Sequence, residues 1–259
     1  MPRFEGAFGK VYYRHWAPPK PTAQIVFLHG YGEHSGLYHR FANSLNARGL
    51  GVWALDAIGH GLSDGERGNP GSMADLRRNA EHLTEIAQRE DPGLPTVLVG
   101  HSMGAMTAAA MVIAGAGPFR GVVLGGMPVE GISQEQERQA EQGMMSLDPF
   151  YLDELEFDPL KFDATMAFVH LRSVLSAPVC EHIQAGLLEL SLPVLMISGD
   201  NDIFCPPDLA RRWASRIPGA RHHLFANTHH DLINDTSHAD VADVVAQAVI
   251  GWTSGTQAG

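Results

Sequence analysis

A serine flanked by glycines is the residue best placed to do chemistry in this chain. Ser102 is the centre of Gly100-His101-Ser102-Met103-Gly104, which follows the short apolar run Thr96–Val99. The Ala- and Met-rich run behind it predicts a helix over Ala105–Ala114. A sharp turn from strand to helix strains the backbone at its centre, requires small residues two positions to either side, and lifts the central hydroxyl towards the positive end of the helix. The pattern therefore predicts that the serine is a nucleophile.

A serine hydroxyl needs a base to activate it, and the base needs an acid to orient it. In hydrolases built on such a turn, the acid and then the histidine follow the serine along the chain, on loops after later strands. Two loops supply candidates in that order: Asp200 and Asp202 after the apolar run Leu192–Ser198, and His229 and His230 after the run Arg221–Phe225. The residues alone leave both members of each pair open.

Short apolar runs alternate with amphipathic ones along the rest of the chain. Strands are predicted over Val11–Trp16, Ala23–Leu28, Gly51–Leu55, Thr96–Val99, Gly121–Leu124, Leu192–Ser198 and Arg221–Phe225. Helices are predicted over Tyr38–Arg48, Met73–Glu90, Ala105–Ala114, Asp208–Ile217 and Ala239–Trp252. Continuous Val, Ile and Leu strands separated by helices predict an α/β protein, with a mostly parallel central sheet and helices on both faces.

Residues 128–190 interrupt this alternation without a convincing strand, and we interpret them as a helical insertion. We therefore predict a core of residues 1–127 and 191–259 and a cap of residues 128–190. The insertion holds twelve acidic and three basic residues, so it carries −9 of the formal net charge of −11. Its interleaved Met, Phe, Tyr and Leu residues fit two interpretations: helices packed on the core, or a lid whose apolar underside lines a pocket.

Composition excludes several other classes of protein. A chain of 259 residues with a net charge of −11 fits one α/β domain with an insertion, and no cluster of Lys or Arg could meet nucleic-acid phosphates. No run is long enough to span a membrane, and the first residues lack the apolar run of a signal peptide. Two cysteines, Cys180 and Cys205, suit a reducing cytoplasm, which is the expected location. No metal or organic cofactor is expected.

Three motifs together resemble one family. His29-Gly30-Tyr31-Gly32-Glu33-His34-Ser35-Gly36, Asp56-Ala57-Ile58-Gly59-His60-Gly61-Leu62-Ser63 and the Ser102 pentapeptide are similar to the α/β-hydrolase superfamily. More narrowly, they resemble its monoacylglycerol lipase and lysophospholipase branch, also called serine aminopeptidase S33-like. The likeness covers nearly the whole chain outside the insertion, and the stretch that begins at His29 is its most specific part.

The resemblance implies roles for individual residues. The family's acid ends a Gly-x-x-Asp loop, which falls on Asp202, and its histidine opens a pattern that falls on His230, so Asp200 and His229 become second choices. The oxyanion hole is expected to use the backbone N–H of Met103, next to the nucleophile, and by resemblance that of Tyr31. Cys205 matches a cysteine near the site of mammalian members, or is a buried filler. The remaining polar residues of the motifs are expected to shape loops: His29, Glu33, His34, Asp56, His60 and Ser63.

The predicted reaction is a two-step acyl transfer through an acyl-enzyme, on an ester with an apolar acyl group and a small alcohol. A monoacylglycerol is the leading choice. The alternatives on the same residues are a lysophospholipase, a lactonase, an aryl or synthetic ester hydrolase, a perhydrolase, or a small-molecule receptor without activity. Ser102 excludes a dehalogenase or epoxide hydrolase, which needs Asp there. The negative insertion should repel anionic leaving groups, which disfavours the lysophospholipase. Transient membrane contact and the oligomeric state are left open.

Overall fold

The protein is built on an open sheet whose strands are mostly parallel. The computed structural model describes residues 1–142, 145–162 and 168–254. Within them the strands are β1 (Arg3–Gly6), β2 (Gly9–Trp16), β3 (Ala23–Leu28), β4 (Leu50–Leu55), β5 (Thr96–His101), β6 (Phe119–Gly125), β7 (Val194–Gly199) and β8 (Arg221–Phe225). Their spatial order is β1-β2-β4-β3-β5-β6-β7-β8. The β1–β2 and β2–β4 pairs are antiparallel, and all other pairs are parallel. The predicted α/β class is confirmed.

Helices cover both faces of the sheet. They are α1 (His39–Asn46), α2 (Met73–Glu90), α3 (Met103–Ile113), α4 (Gln134–Gln142), α5 (Pro149–Phe157), α6 (Phe168–Val174), α7 (Ala177–Leu187), α8 (Pro207–Arg216) and α9 (His238–Thr253). Alternate strand residues face opposite helix layers. On β3, Val26 and Leu28 belong to the apolar cluster formed with α2, α3 and α8, whereas Ile25 and Phe27 belong to the one formed with α1 and α9.

The seven predicted strands are present, and β1 is the one strand in the described residues that the sequence pattern missed. It is four residues long, with Phe4 as its only fully buried side chain, and it pairs only with β2 at the edge of the sheet. So short an edge strand leaves almost no alternation to detect.

The predicted insertion is helical where the structure describes it, and its residues 143–144 and 163–167 lie outside that range. Helix α7 contacts α3, and its Ile183 and Leu187, like Leu171 and Val174 of α6, join the apolar cluster on that face of the sheet. The boundary of the cap at residue 190 therefore stays a prediction. Across the described part of the chain, no helix has the length and hydropathy needed to cross a membrane.

Candidate active site

The turn between β5 and α3 is tight enough to require its two glycines. Ser102 has φ 51° and ψ −116°, a left-handed conformation that side chains rarely adopt. A Cβ at Gly100 would lie 2.3 Å from the carbonyl oxygen of Gly104, and a Cβ at Gly104 would lie 2.1 Å from that of Leu28. Both neighbours are backbone atoms that cannot give way. The Ser102 N–H donates to the carbonyl of Gly125 (2.8 Å), which anchors the turn to β6.

A continuous hydrogen-bonded chain runs from Ser102 through His230 to Asp202. The Oγ of Ser102 lies 2.8 Å from Nε2 of His230, and Nδ1 of the same ring lies 2.8 Å from Oδ1 of Asp202. Ser102 follows β5, Asp202 follows β7, and His230 follows β8, so neighbouring parallel strands bring the three residues to one edge of the sheet. This arrangement can move a proton from the hydroxyl to the ring while the carboxylate holds the ring in one tautomer.

Asp202 is held as an ionised carboxylate. Burial alone would raise its pKa, but the charge and hydrogen bond of His230 and two backbone N–H groups outweigh burial and hold the pKa below its usual value. Those N–H groups belong to Phe204 (2.9 Å) and Cys205 (2.8 Å). The Cys205 side chain is wholly buried, and desolvation together with the nearby Asp202 charge raises the pKa of its thiol well above the ordinary value. It therefore packs beside the site as a neutral thiol.

The second-choice residues, Asp200 and His229, make other contacts. Asp200 accepts a hydrogen bond from the N–H of Thr228 (3.0 Å), so its carboxylate ties the β7 loop to the β8 loop. His229 turns its Nδ1 to Oδ2 of Asp235 (3.1 Å), which also accepts the N–H of His229 (2.7 Å). The structure therefore joins Asp202 and His230, and not these neighbours, to Ser102.

The loop after β3 brings Tyr31, one of the two predicted oxyanion donors, to the cavity. Tyr31 lines the cavity with Ser102, and Met103 is the first residue of α3, where helical N–H groups have no partner within the helix. The Tyr31 hydroxyl donates to the carbonyl of Gly68 (2.5 Å), which fixes this loop from below. The ring of His29 supports it as well, because its Nε2 accepts the N–H of Ala57 (2.9 Å).

The other polar residues of the motifs hold loops together. Asp56 accepts the N–H of Ser35 (2.8 Å) and of Leu62 (2.8 Å), and Ser63 donates its hydroxyl to the Asp56 carbonyl (2.6 Å). His60 is wholly buried, and burial is the largest cause that lowers its pKa, to about 3. His34 reaches the cap, where its Nε2 lies 2.9 Å from Oδ2 of Asp158.

Sequence reasoning gave no role to His101, although it stands next to the nucleophile. Its Nε2 donates to the backbone carbonyl of His230 (2.9 Å), and its Nδ1 contacts Oε2 of Glu33 (3.1 Å). Burial lowers the pKa of His101, but the charge and hydrogen bond of Glu33 outweigh it and raise the pKa to about 9. Conversely, burial raises the pKa of Glu33, but the charge and bond of His101 and two tyrosine hydroxyls outweigh it and lower the pKa to about 2. A buried ion pair thus joins the loop after β3, here called the oxyanion loop, to His101 at the end of β5, and the other ring nitrogen of His101 bonds to the loop after β8, here called the histidine loop.

The cap contributes Tyr151 to the same buried region. Its hydroxyl donates to Oε1 of Glu33 (2.7 Å) and lies 3.2 Å from Oδ2 of Asp231. Helix α5 is fixed at its start by Asp148, which caps it by accepting the Tyr151 N–H (2.9 Å) and pairs with Arg40 (3.0 Å). No sequence signal marked Tyr151, since its partners are 80 and 118 residues away.

Gly126 is a further site residue that the sequence did not reveal. It follows β6 with φ +54°, and a Cβ there would lie 3.1 Å from Cε1 of His230 and 3.2 Å from Oδ2 of Asp202. The bare Cα therefore leaves the imidazole and the carboxylate room to lie side by side. The consecutive pair Gly125-Gly126 at the end of a predicted strand is the signal that could have pointed to it.

A cavity of about 450 Å³ opens above Ser102, at the lower end of the range for small-molecule sites. Most of its wall is apolar and comes from the cap and the adjoining loops: Ile132, Ala140, Met145, Leu155, Phe162, Phe168, Leu171 and Phe204. Its polar and charged side chains include those of Ser102, His230, Glu33, Asp231 and Lys161. The apolar part suits an acyl chain, as the lid interpretation of the insertion expects.

One cluster in the described chain has ligand atoms close enough for a metal ion. Ligand atoms of His101, His230 and Asp231 lie within 4.8 Å of one another. Both ring nitrogens of both histidines, however, already take part in the hydrogen bonds given above. A metal there would have to displace at least one of these hydrogen bonds on each ring, so the donor set fits a hydrogen-bonded network better than a metal site.

A mostly parallel sheet with a strained serine turn after its fifth strand and a buried Ser–His–Asp chain defines an α/β-hydrolase. Comparison with known proteins agrees. A family model described as serine aminopeptidase, S33 matches residues 19–132. The monoacylglycerol lipase of Mycolicibacterium smegmatis is 27% identical over 95% of this chain and 95% of its own length. The human monoglyceride lipase is 38% identical over 48% of this chain and 42% of its own length.

Solved structures with a similar fold also include a monoacylglycerol lipase. The crystal structure of a monoacylglycerol lipase from Paleococcus ferrophilus superposes with a TM-score of 0.74 at 23% identity, over 93% of this chain and 99% of that one. The chain has the α/β-hydrolase fold and is similar to monoacylglycerol lipases, and it is an ester hydrolase of the lipase and esterase type.

Proposed function

We propose that the chain hydrolyses monoacylglycerols or closely similar esters through an acyl-enzyme on Ser102. The observation that carries the proposal is the pair of 2.8 Å contacts from Ser102 to His230 and from His230 to Asp202, at the base of an apolar cavity. The relatives named above are lipases of monoacylglycerols, which supports that substrate class.

In the first step, Nε2 of His230 accepts the proton of Ser102 as Oγ attacks the ester carbonyl. Asp202 stabilises the imidazolium that forms and keeps Nδ1 protonated. The N–H groups of Tyr31 and Met103 bind the oxyanion, and loss of one such donor costs about 3–4 kcal/mol of transition-state stabilisation. His230 then protonates the leaving alcohol, and a water molecule repeats the sequence on the acyl-enzyme.

The cavity and the charge of the cap favour a neutral alcohol. Acyl carbons fit the apolar wall, whereas the negative charge of the cap disfavours an anionic leaving group. We therefore expect a glycerol ester to be preferred over a lysophospholipid. A cytoplasmic location and the absence of a cofactor are part of the same proposal.

The test is hydrolysis of monoacylglycerols of graded chain length, and of a matching lysophospholipid, by wild type and Ser102→Ala. Wild type should release fatty acid, and the variant should lose about 10⁴-fold or more in kcat while it unfolds at the same temperature. A fluorophosphonate probe should label wild type at Ser102 and leave the variant unlabelled. Turnover that survives in Ser102→Ala, or a wild type that binds the esters without cleaving them, would contradict the proposal. The second result would indicate a receptor.

A further inference from the structure

A buried cluster of ionisable side chains lies directly behind His230, and the reaction proposed above does not use it. Its members are Glu33, Tyr38, His101, Tyr151 and Asp231, and all are buried. They come from the oxyanion loop, the turn before α1, the serine turn, cap helix α5 and the histidine loop. Four stretches that are far apart in sequence meet here, around Glu33 and Tyr38, His101, Tyr151 and Asp231, so the protonation of this cluster affects how these stretches pack together.

Glu33 is the ionised acid of the cluster. Its Oε2 accepts the N–H of Gly30 (3.0 Å), the hydroxyl of Tyr38 and Nδ1–H of His101 (3.1 Å). Its Oε1 accepts the hydroxyl of Tyr151 (2.7 Å). A carboxyl group that receives four donors has no place for a proton of its own.

Asp231 must then be the protonated acid. The Tyr151 hydroxyl has one proton but contacts two carboxyl groups, Glu33 at 2.7 Å and Asp231 at 3.2 Å. The shorter contact, to the ionised Glu33, uses that proton. At the longer contact the Tyr151 proton would be shared between two carboxyl groups, whereas a protonated Asp231 donates a proton of its own to the phenol oxygen.

The charge of the cluster leads to the same assignment. His101 donates through both ring nitrogens and is a cation, which balances Glu33, so ionised Asp231 would leave one buried negative charge uncompensated. Burial and then the charge of Glu33 raise the pKa of Asp231 to about 7, against the opposing effects of His101, His230 and the Tyr151 hydrogen bond. Tyr38 also lies near Asp231, whose charge is among the causes that raise the pKa of its hydroxyl, after burial and Glu33.

We propose that Asp231 is a positioning residue that works as a neutral acid, whose proton holds Tyr151, and with it cap helix α5, against the loop that carries His230. When Asp231 loses that proton, two carboxylates face the single hydroxyl proton of Tyr151. The contact between α5 and the loop that carries His230 then opens. The wall of the cavity and the ring that faces Ser102 then lose alignment together. The inference rests on the proposed ester hydrolysis and names the residue that keeps that site assembled.

The first test compares kcat/KM of Asp231→Asn and wild type on a p-nitrophenyl ester from pH 6 to pH 9. Asn keeps an N–H donor for Tyr151 and cannot ionise. We expect the ratio of variant to wild type to rise with pH by about two- to tenfold, the worth of one neutral hydrogen bond. Asp153→Asn, at an exposed residue of cap helix α5, is the matched control. Its ratio of kcat/KM to that of wild type should not change with pH. A flat or falling ratio for Asp231→Asn overturns the inference, because an ionised Asp231 would then be the working form.

A second pair of variants separates the hydrogen bond from simple packing. Asp231→Leu retains bulk without a donor, and Tyr151→Phe removes the phenol, so both should raise KM and lower kcat by similar factors at pH 6. If Asp231→Leu equals wild type at pH 6, the Tyr151 contact does not position the site and the inference fails.

The third measurement does not depend on activity. Infrared difference spectra between wild type and Asp231→Asn at pH 6 should show the band of a protonated carboxylic acid only in wild type, and the band should fade near pH 7. Its absence overturns the inference even if the enzyme is active. Its presence in a protein that hydrolyses no ester would refute the proposed function and leave the assignment of the proton intact.

Discussion

Substitution of Gly126 allows the effect of site geometry on kcat to be separated from the effect of backbone strain on stability. Replacement by alanine adds one methyl group beside the Asp202–His230 pair, at a residue with φ +54°. The strain of a left-handed conformation costs about 1–2 kcal/mol of folding free energy. The added carbon would also lie 3.1 Å from Cε1 and 3.2 Å from Nδ1 of His230, and 3.2 Å from Oδ2 of Asp202, which is tighter than an ordinary contact.

These contacts should displace the imidazole by a few tenths of an ångström. Since a misplacement of about 1 Å can cost about 10²-fold in rate, we expect Gly126→Ala to lower kcat by about tenfold with little change in KM. The loss should be in kcat because the bond from Ser102 to His230 is what moves, whereas the cap that lines the acyl cavity does not.

Gly219→Ala is the matched control. Gly219 has φ +68°, and a Cβ there would meet no atom within 4 Å, so the substitution introduces similar strain and no contact. Urea unfolding should report a similar loss of about 1–2 kcal/mol for both variants, and ester hydrolysis a loss for Gly126→Ala alone. Equal kcat values for the two variants would refute the reasoning, because the methyl group would then leave the imidazole where it was.

Three further predictions concern the triad acid, the buried ion pair and the cavity wall. Asp202→Asn should lower kcat by about 10⁴-fold because the ring loses the acceptor that fixes its tautomer, whereas Asp200→Asn should stay within about threefold of wild type; the reverse order in a p-nitrophenyl ester assay would make Asp200 the acid. Glu33→Gln should lower the free energy of unfolding by about 3 kcal/mol at pH 7, because it breaks a buried pair with His101. The folded pKa of Glu33 is depressed to about 2, so its stabilisation is present above about pH 4.5 and is lost as the pH falls towards 2; a deficit that stays constant in urea titrations down to pH 2 would count against an ionised Glu33. Ile132→Phe adds volume to the cavity wall and should shift the preferred acyl chain to a shorter length, whereas an unchanged chain-length profile would mean that the acyl group lies elsewhere.

The sequence was informative where a residue's role is set by its near neighbours. Ser102 could be recognised because the strand before it, the helix after it and both glycines lie within about fifteen residues. The buried strands were equally visible, since each is a continuous apolar run with turn residues at its ends. Local patterns of this kind need no knowledge of the tertiary fold.

The choice between neighbouring candidates required more than such patterns. Asp200 and Asp202 share one loop, and only the family pattern favoured the second of them. The structure shows the physical difference, because Asp202 points into the core towards His230 whereas Asp200 ties two loops together at the surface. Side-chain direction within a short loop depends on the tertiary contacts of that loop.

Tyr151 and Asp231 could not be connected from the sequence at all. Tyr151 lies in an acidic, aromatic stretch whose pattern gives no reason to single out one ring. Its partners become neighbours only when the cap folds over the ends of the strands. A buried hydrogen-bond network is set by three-dimensional proximity, and so it leaves little trace in the order of residues.

The position of helix α7 has a consequence for how proteins of this kind diversify. Helix α7 packs on α3 and belongs to the connection from β6 to β7. The segment that covers the cavity is therefore an insertion in that connection, just before α7. An insertion at this point can be lengthened, shortened or exchanged without shifting the register of any strand. The wall of the cavity and the Ser102–His230–Asp202 chain thus come from different stretches of the sequence, so an exchanged segment can alter the choice of ester provided that it preserves the contacts of Tyr151 with Glu33 and Asp231.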